Sequence, residues 1–128
     1  MVIPDTLGNR VVTAIGDSAF ADWFSSIEGV TIPDSVTTIG NYAFAHCDRL
    51  TSITLPDGLT TIGNYAFLQC KALSKITIPG SVVSIGRGAF TYCENLSSVT
   101  LSDGLISIGD FAFQGCIISS ITIPGSVT

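Results

Sequence analysis

Charged residues are scarce in this chain of 128 residues, where Asp, Glu, Lys and Arg together make up 12%. Five basic residues stand against ten acidic ones, which gives a net charge of −5, and the basic residues are scattered along the chain. A surface that follows nucleic-acid phosphates needs a basic patch or stripe, and this sequence provides neither. We therefore expect no nucleic-acid partner.

Long apolar runs are also lacking, although 46% of the residues are hydrophobic. Gly, Ser, Thr or Asp interrupts the apolar residues every few positions, so no stretch approaches the roughly 20 residues that a membrane-spanning helix needs. The opening "MVIPDTLG" has none of the basic segment, apolar stretch and cleavage site that make a secretion signal. We expect an ordered chain without membrane insertion, cut from a longer protein.

Repetition is what the sequence has in abundance. The stretch "IPDSVTTIGNYAFAHCDRLTSIT" is followed at once by "LPDGLTTIGNYAFLQCKALSKIT", and related copies stand on either side. A fixed period of about 23 residues predicts a solenoid, because each copy can bury its apolar side only against its neighbours. The predicted coils are 3–31, 32–54, 55–77, 78–100, 101–122 and a partial coil 123–128, all within one domain of residues 1–128.

Each coil is predicted to contain a strand and a short helical turn. Ile53 alternates with Ser52 and Thr54, the period-two pattern of a strand with one buried face, and Pro and Gly end the strand. The segment "VTTIG" predicts a short extended or 3₁₀ segment on the opposite wall. Asn41 follows that glycine, and because Asn caps helix N-termini, a single helical turn is expected next. The equivalent strands centre on Val30, Ile76, Val99 and Ile121.

Stacking places equivalent residues in columns at the inter-strand spacing of about 4.8 Å. One predicted column is a spine of buried phenylalanines. A second is a ladder of cysteines, and because these recur once in each coil, they form a line of inward thiols rather than a tetrahedral metal site. We predict free thiols that pack as small hydrophobic groups, with no metal and no disulfide. The two columns are Phe20, Phe44, Phe67, Phe90 and Phe113, and Cys47, Cys70, Cys93 and Cys116.

Catalytic groups are hard to find in this sequence. His46 is the only histidine, and it occupies a position that differs in every coil, so a surface role is expected. A Cys-His pair needs an exposed nucleophile, whereas the neighbouring Cys47 is predicted to face the core. No phosphate-binding loop of the G-x-x-x-x-G-K-S/T type is present. We therefore predict neither an enzyme nor a cofactor.

The outward strand positions form a flat, weakly charged surface rich in hydroxyl groups. The simplest interpretation is that Thr suits exposed strand positions. A second is a recognition face for a protein or a glycan, since solenoids offer extended binding surfaces. A third is ice binding by the threonine ladder, which curvature and Lys75 disfavour. The residues of this face are Thr31, Ser52, Thr54, Lys75, Thr77, Ser98, Thr100, Ser120 and Thr122.

The string C-x-x-L-x-x-I-x-I/L-P, followed by S/G-V/L-x-x-I-G-x-x-A-F-x-x-C, closely resembles the BspA-type, or Treponema-like, leucine-rich repeat over nearly the whole chain. The resemblance implies an α/β-type solenoid with a parallel concave β-sheet of short strands and with 3₁₀ segments or single helical turns on the convex side. It also implies an extracellular or cell-surface protein whose concave Thr/Ser face serves adhesion. The alternative is a structural spacer that presents other domains of a longer surface protein.

The first and last coils depart from the repeat. Trp23 stands where the other coils have Cys, Ser102 replaces the Pro that closes the strand, and "CIISSI" is one residue short before its strand. Neither end has a polar capping repeat, which solenoids normally use to cover their last apolar coil. We therefore expect either that the native chain continues beyond these ends, which is the preferred interpretation, or that the ends pair between molecules in end-to-end self-association.

Overall fold

The computed structural model describes residues 1–23 and 26–128. They form a β-solenoid in which equivalent residues of successive coils pair in register, as the repeat predicts. The strands in chain order are β1 (Thr6–Leu7), β2 (Arg10–Val11), β3 (Ala14–Ile15), β4 (Gly29–Thr31), β5 (Thr38–Ile39), β6 (Ser52–Thr54), β7 (Thr61–Ile62), β8 (Lys75–Thr77), β9 (Ser84–Ile85), β10 (Ser98–Thr100) and β11 (Ser107–Ile108).

The back wall is one continuous parallel sheet in the order β3-β5-β7-β9-β11. Its strands come from the "VTTIG" segments, which are extended rather than 3₁₀. Ile39 pairs with Ile62, and Ile62 pairs with Ile85. All three isoleucines are buried, because the inward position of each strand repeats with the coil.

The front wall carries the longer strands and corresponds to the predicted concave sheet. That sheet was expected to be continuous, but the strands form two separate parallel pairs, β4 with β6 and β8 with β10. Within the described chain, no backbone hydrogen bond joins β6 to β8. The strand predicted around Ile121 is also absent from these residues. The missing residue in "CIISSI" shortens the corner that would bring this segment alongside β10.

A third wall, called the arc, consists of residues 17–23 and their equivalents in later coils. The helical turn predicted here is wrong, since the described residues contain no helix. The amide of Phe44 donates to the carbonyl of Ala66 at 2.8 Å, one coil further on. Tyr42 and His46 adopt positive φ values of 55° and 60°, which no α-helix tolerates. Alternate amides of the arc therefore bond to the next coil, while those between them, such as Ala45 and Cys47, bond to a carbonyl three residues back in their own coil.

Asn41, which was predicted to cap a helix, and its equivalents Asp17 and Asn64 link successive coils instead. Asn41 donates its backbone amide to Oδ1 of Asp17 at 2.7 Å, and its own Oδ1 accepts the amide of Asn64 at 2.8 Å. Oδ1 of Asn64 accepts the amide of Arg87 at 2.8 Å. The prediction that the side-chain oxygen of Asn41 accepts a backbone N–H is confirmed. The N–H belongs to the following coil, because no helix is present to cap.

The core lies between the three walls. Phe44, Phe67 and Phe90 are fully buried in the middle of the phenylalanine column, while Phe20 and Phe113 at its two ends are partly buried. Trp23 packs edge-on against Phe20, with 5.9 Å between ring centroids. The indole thus covers part of the first ring of the column.

Nothing helical in the described chain is long or apolar enough to span a membrane.

Candidate interaction face on the front wall

The front wall separates apolar and polar side chains by strict alternation. Val30, Ile76 and Val99 point inward and are buried, while Ile53 is partly exposed. Thr31 pairs with Thr54, and Thr77 pairs with Thr100, so their side chains lie next to each other on the outer surface. The exposed residues of this face are Thr31, Ser52, Thr54, Lys75, Thr77, Ser98 and Thr100 on strands, with Ser120 and Thr122 beyond the last strand.

Two shallow grooves cross this face where hydrogen bonding between strands is interrupted. The first lies between β6 and β8, has a volume of about 420 Å³, and has Asp57 and Lys75 among its lining residues. The second lies between β10 and the segment 120–122, has a volume of about 340 Å³, and is lined mainly by serine and threonine. Asp57 and Ser97 were not predicted for this face, because a break in a sheet leaves no signal in a repeating sequence.

Several hydroxyls of the solenoid bond to a neighbouring coil, whereas those of the outer face do not in the part of the chain that the structure describes. Ser35, Thr60 and Ser81 each donate to a backbone carbonyl of the preceding coil, at 2.7, 2.9 and 2.6 Å. Within the described ranges, the hydroxyls of Thr54 and Thr77 have no hydrogen-bond partner in the protein. The face therefore presents donors and acceptors that the fold itself does not use.

The cysteines lie in the interior beside the phenylalanine column. The thiol of Cys70 donates to the carbonyl of Phe44 at 3.2 Å, and the thiol of Cys93 to that of Phe67 at 3.1 Å. Cys47 and Cys116 make the same contact with Phe20 and Phe90, each at 3.2 Å. All four are free thiols; three are buried and Cys116 is partly exposed.

Burial also weakens Cys47 and Cys116 as nucleophiles. Desolvation raises the pKa of the Cys47 thiol to about 11 and the pKa of the Cys116 thiol to about 12. The thiolate, which is the reactive form, is therefore scarce at neutral pH. In residues 1–23 and 26–128, no group of three or more His, Cys, Asp or Glu side chains is placed to hold a metal ion.

The arc carries aromatic residues that are exposed, such as Tyr42 and Phe111, or partly exposed, such as Tyr65. The rings of Tyr42 and Tyr65 stack with 5.2 Å between centroids. The guanidinium of Arg87 lies over the exposed ring of Phe111, 5.5 Å from its centroid. His46 lies on the same wall and is partly buried. These groups are on a different wall from the hydroxyl face, so they do not contribute to it.

Comparison with known proteins agrees with this geometry. The family model described as the BspA-type leucine-rich repeat region matches residues 13–128 in six copies. This chain belongs to the BspA-type leucine-rich repeat family. A sequence search among curated proteins finds no significant match.

Several solved structures share the fold. A leucine-rich repeat protein of Treponema pallidum is 35% identical, with a TM-score of 0.92 over 96% of this chain and 57% of its own. A leucine-rich cell surface protein of Faecalibacterium prausnitzii is 33% identical, with a TM-score of 0.68 over 99% of this chain and 42% of its own. A leucine-rich repeat protein of Bacteroides ovatus is 29% identical, with a TM-score of 0.79 over 98% and 37%. The chain thus spans only part of the length of each relative.

Proposed function

We propose that this chain is a non-catalytic repeat scaffold that binds another macromolecule at a cell surface through the hydroxyl face of its front wall. The observation that carries the proposal is the bonding of the hydroxyls. Ser35, Thr60 and Ser81 bond to neighbouring coils, whereas the hydroxyls of the outer face have no partner within the described chain. Hydroxyls of the back wall such as that of Thr38 are also unpaired there, but those of Thr54 and Thr77 line a groove. Polar groups that do not hold the fold together are free to hold a ligand.

A surface location is supported by the relatives. The Faecalibacterium prausnitzii protein is described as a leucine-rich cell surface protein. Adhesion is the corresponding role, because an extended face of many weak polar contacts suits attachment to a repeating or immobile partner. The competing role is that of a spacer that holds other domains and contacts nothing itself.

Retention of coated beads on cultured epithelial cells tests the proposal. The front-wall variant carries Thr54→Val, Lys75→Gln, Thr77→Val and Ser98→Ala, which remove polar groups with little change in shape. The control carries Thr38→Val, Thr61→Val, Arg87→Gln and Ser107→Ala on the other walls. We expect wild-type and control beads to be retained and front-wall beads to wash off.

Two results would contradict the proposal. Equal retention of all three kinds of bead would place binding outside the hydroxyl face. No retention of the wild type would favour the spacer. Circular dichroism of each variant establishes beforehand that the solenoid is intact.

A further inference from the structure

We infer that the partner of the hydroxyl face is a neutral glycan chain that runs across the strands, from coil to coil. This inference rests on the proposed function and specifies the chemistry of its ligand. Three features of the front wall lead to it: the side chains it lacks, the backbone edges in its grooves, and the repeat of its hydroxyls.

The outer face lacks the anchors on which protein partners depend. Binding energy at protein interfaces is concentrated in buried Trp, Tyr and Arg side chains, and the outward positions of the front wall from Gly29 to Thr122 contain only Gly29, Lys75, Thr and Ser. The exposed aromatic rings of Tyr42 and Phe111 are on the arc instead. A single cation also gives little attraction for an anionic polymer. What remains is a neutral surface of groups that both donate and accept hydrogen bonds.

The grooves add backbone groups of the same character. Because β6 and β8 are not paired, the edges that face each other across the first groove carry N–H and C=O groups without a partner strand. An inserted peptide strand would need its neighbours about 9.6 Å apart, twice the inter-strand spacing. Cα atoms of β6 and β8 approach within 8 Å, so the groove is too narrow for a strand. Sugar hydroxyls can reach such groups from above, since each hydroxyl donates and accepts.

The repeat of the face matches a linear polymer. Equivalent hydroxyls recur in every coil at about 4.8 Å, and the two grooves are two coils apart. A linear glycan presents its hydroxyls at a comparable repeat along its length. One sugar of the glycan can therefore lie over each coil, and every second sugar over a groove. The many weak contacts then add up along the glycan.

Titration of the ¹⁵N-labelled chain with oligosaccharides tests the inference by NMR. The probes are the cello-, malto-, manno- and N-acetylchito-oligosaccharide series, from two to about six sugars, together with a heparin hexasaccharide and gelatin. We expect at least one neutral series to shift the amides of Ser52, Thr54, Lys75 and Thr77. The Kd should tighten by about tenfold from the disaccharide to the longest member. The Kd of the longest member should change by less than about twofold when the salt concentration is raised to about 0.5 M.

Variants assign the contacts. Thr77→Val should weaken binding of that series by about fivefold or more, while Thr38→Val on the back wall should leave it within about twofold. No shift with all four neutral series overturns the inference, and so do shifts confined to heparin or gelatin. If the neutral series fail while front-wall beads still lose retention, the proposed function stands without the glycan. If both assays fail, the proposed function fails as well.

Discussion

The rings of Phe67 and Phe90 lie parallel, with 5.1 Å between their centroids and an angle of 2° between their planes. The rings of Phe44 and Phe67 repeat the arrangement at 5.4 Å. Parallel rings at the distance between coils follow from coils that are stacked in register. Each coil therefore depends on the coil before and the coil after it for the burial of its phenylalanine.

Replacement of Phe67 by alanine should lower the free energy of unfolding by about 3–5 kcal/mol, because it opens a cavity between two fully buried rings. Phe111→Ala is the matched control, since Phe111 is 56% exposed and its loss should cost less than about 1 kcal/mol. Urea unfolding followed by circular dichroism measures both. Equal effects of the two substitutions would show that the column does not hold the coils together.

Gly63→Ala should destabilise the solenoid by about 1–3 kcal/mol or more. A Cβ at this position would lie 2.6 Å from the carbonyl carbon of Gly40 and 2.7 Å from the backbone nitrogen of Asn41, in the preceding coil. Gly16 occupies the equivalent position in the first described coil, where a Cβ would meet nothing within 4 Å. Gly16→Ala should therefore change the unfolding midpoint little, and a similar loss in both variants would rule out crowding between coils as the cause.

Alkaline pH should destabilise the chain through its thiols. The pKa values of Cys47 and Cys116 are raised from 9.0 to about 11 and about 12, chiefly because burial disfavours the thiolate. The folded chain then holds more protons than the unfolded chain above about pH 9, so stability is full below that pH and falls as the pH rises. Urea midpoints measured from about pH 8 to pH 11 should fall more steeply for the wild type than for the double variant Cys47→Ala, Cys116→Ala. Parallel slopes would contradict this prediction.

Asn41→Ala should cost about 1 kcal/mol, because the amide of Asn64 loses the side-chain oxygen that accepts its proton. Asn41→Asp should retain most of the stability, since the carboxylate of Asp17 already accepts the amide of Asn41 in the same way. Among the described residues, no amide donates to the side chain of Asp110, so Asp110→Ala is the control. Thermal melts compare the three variants, and an aspartate variant as unstable as the alanine variant would exclude the hydrogen bond as the cause.

The backbone amides of Phe67 and Phe113 should differ in their rates of hydrogen exchange. Phe67 and Phe113 both follow alanine, but the amide of Phe67 donates to the carbonyl of Ala89 at 2.8 Å, while that of Phe113 has no backbone acceptor in the described chain. The amide of Phe67 should exchange at least about a hundredfold more slowly than that of Phe113. Similar rates, measured by NMR, would mean that the arc is not bonded from coil to coil.

The repeat allowed the solenoid, its period and its family to be predicted from the sequence. Ile39, Ile62 and Ile85 recur once in each copy of the repeat, and the structure pairs them in that register. The absence of a helical turn after Asn41 could not be predicted from the sequence. The side-chain oxygen of Asn accepts a backbone N–H in the same way at a helix N-terminus and between coils. The break between β6 and β8 could not be predicted either, because the coils on its two sides have nearly the same sequence.

Which residues align follows from the amino-acid sequence alone, because apolar side chains that recur at one period can be buried only by stacking coils in register. Where the backbone hydrogen bonds go depends on the folded chain. An amide of the arc can bond along its own chain or to the coil beside it, and local residue preference is similar for both. The neighbouring coil prevails at alternate positions because stacking brings its carbonyls within 2.8 Å of amides such as those of Phe44 and Phe67, while the amides between them, such as that of Cys47, bond within their own coil.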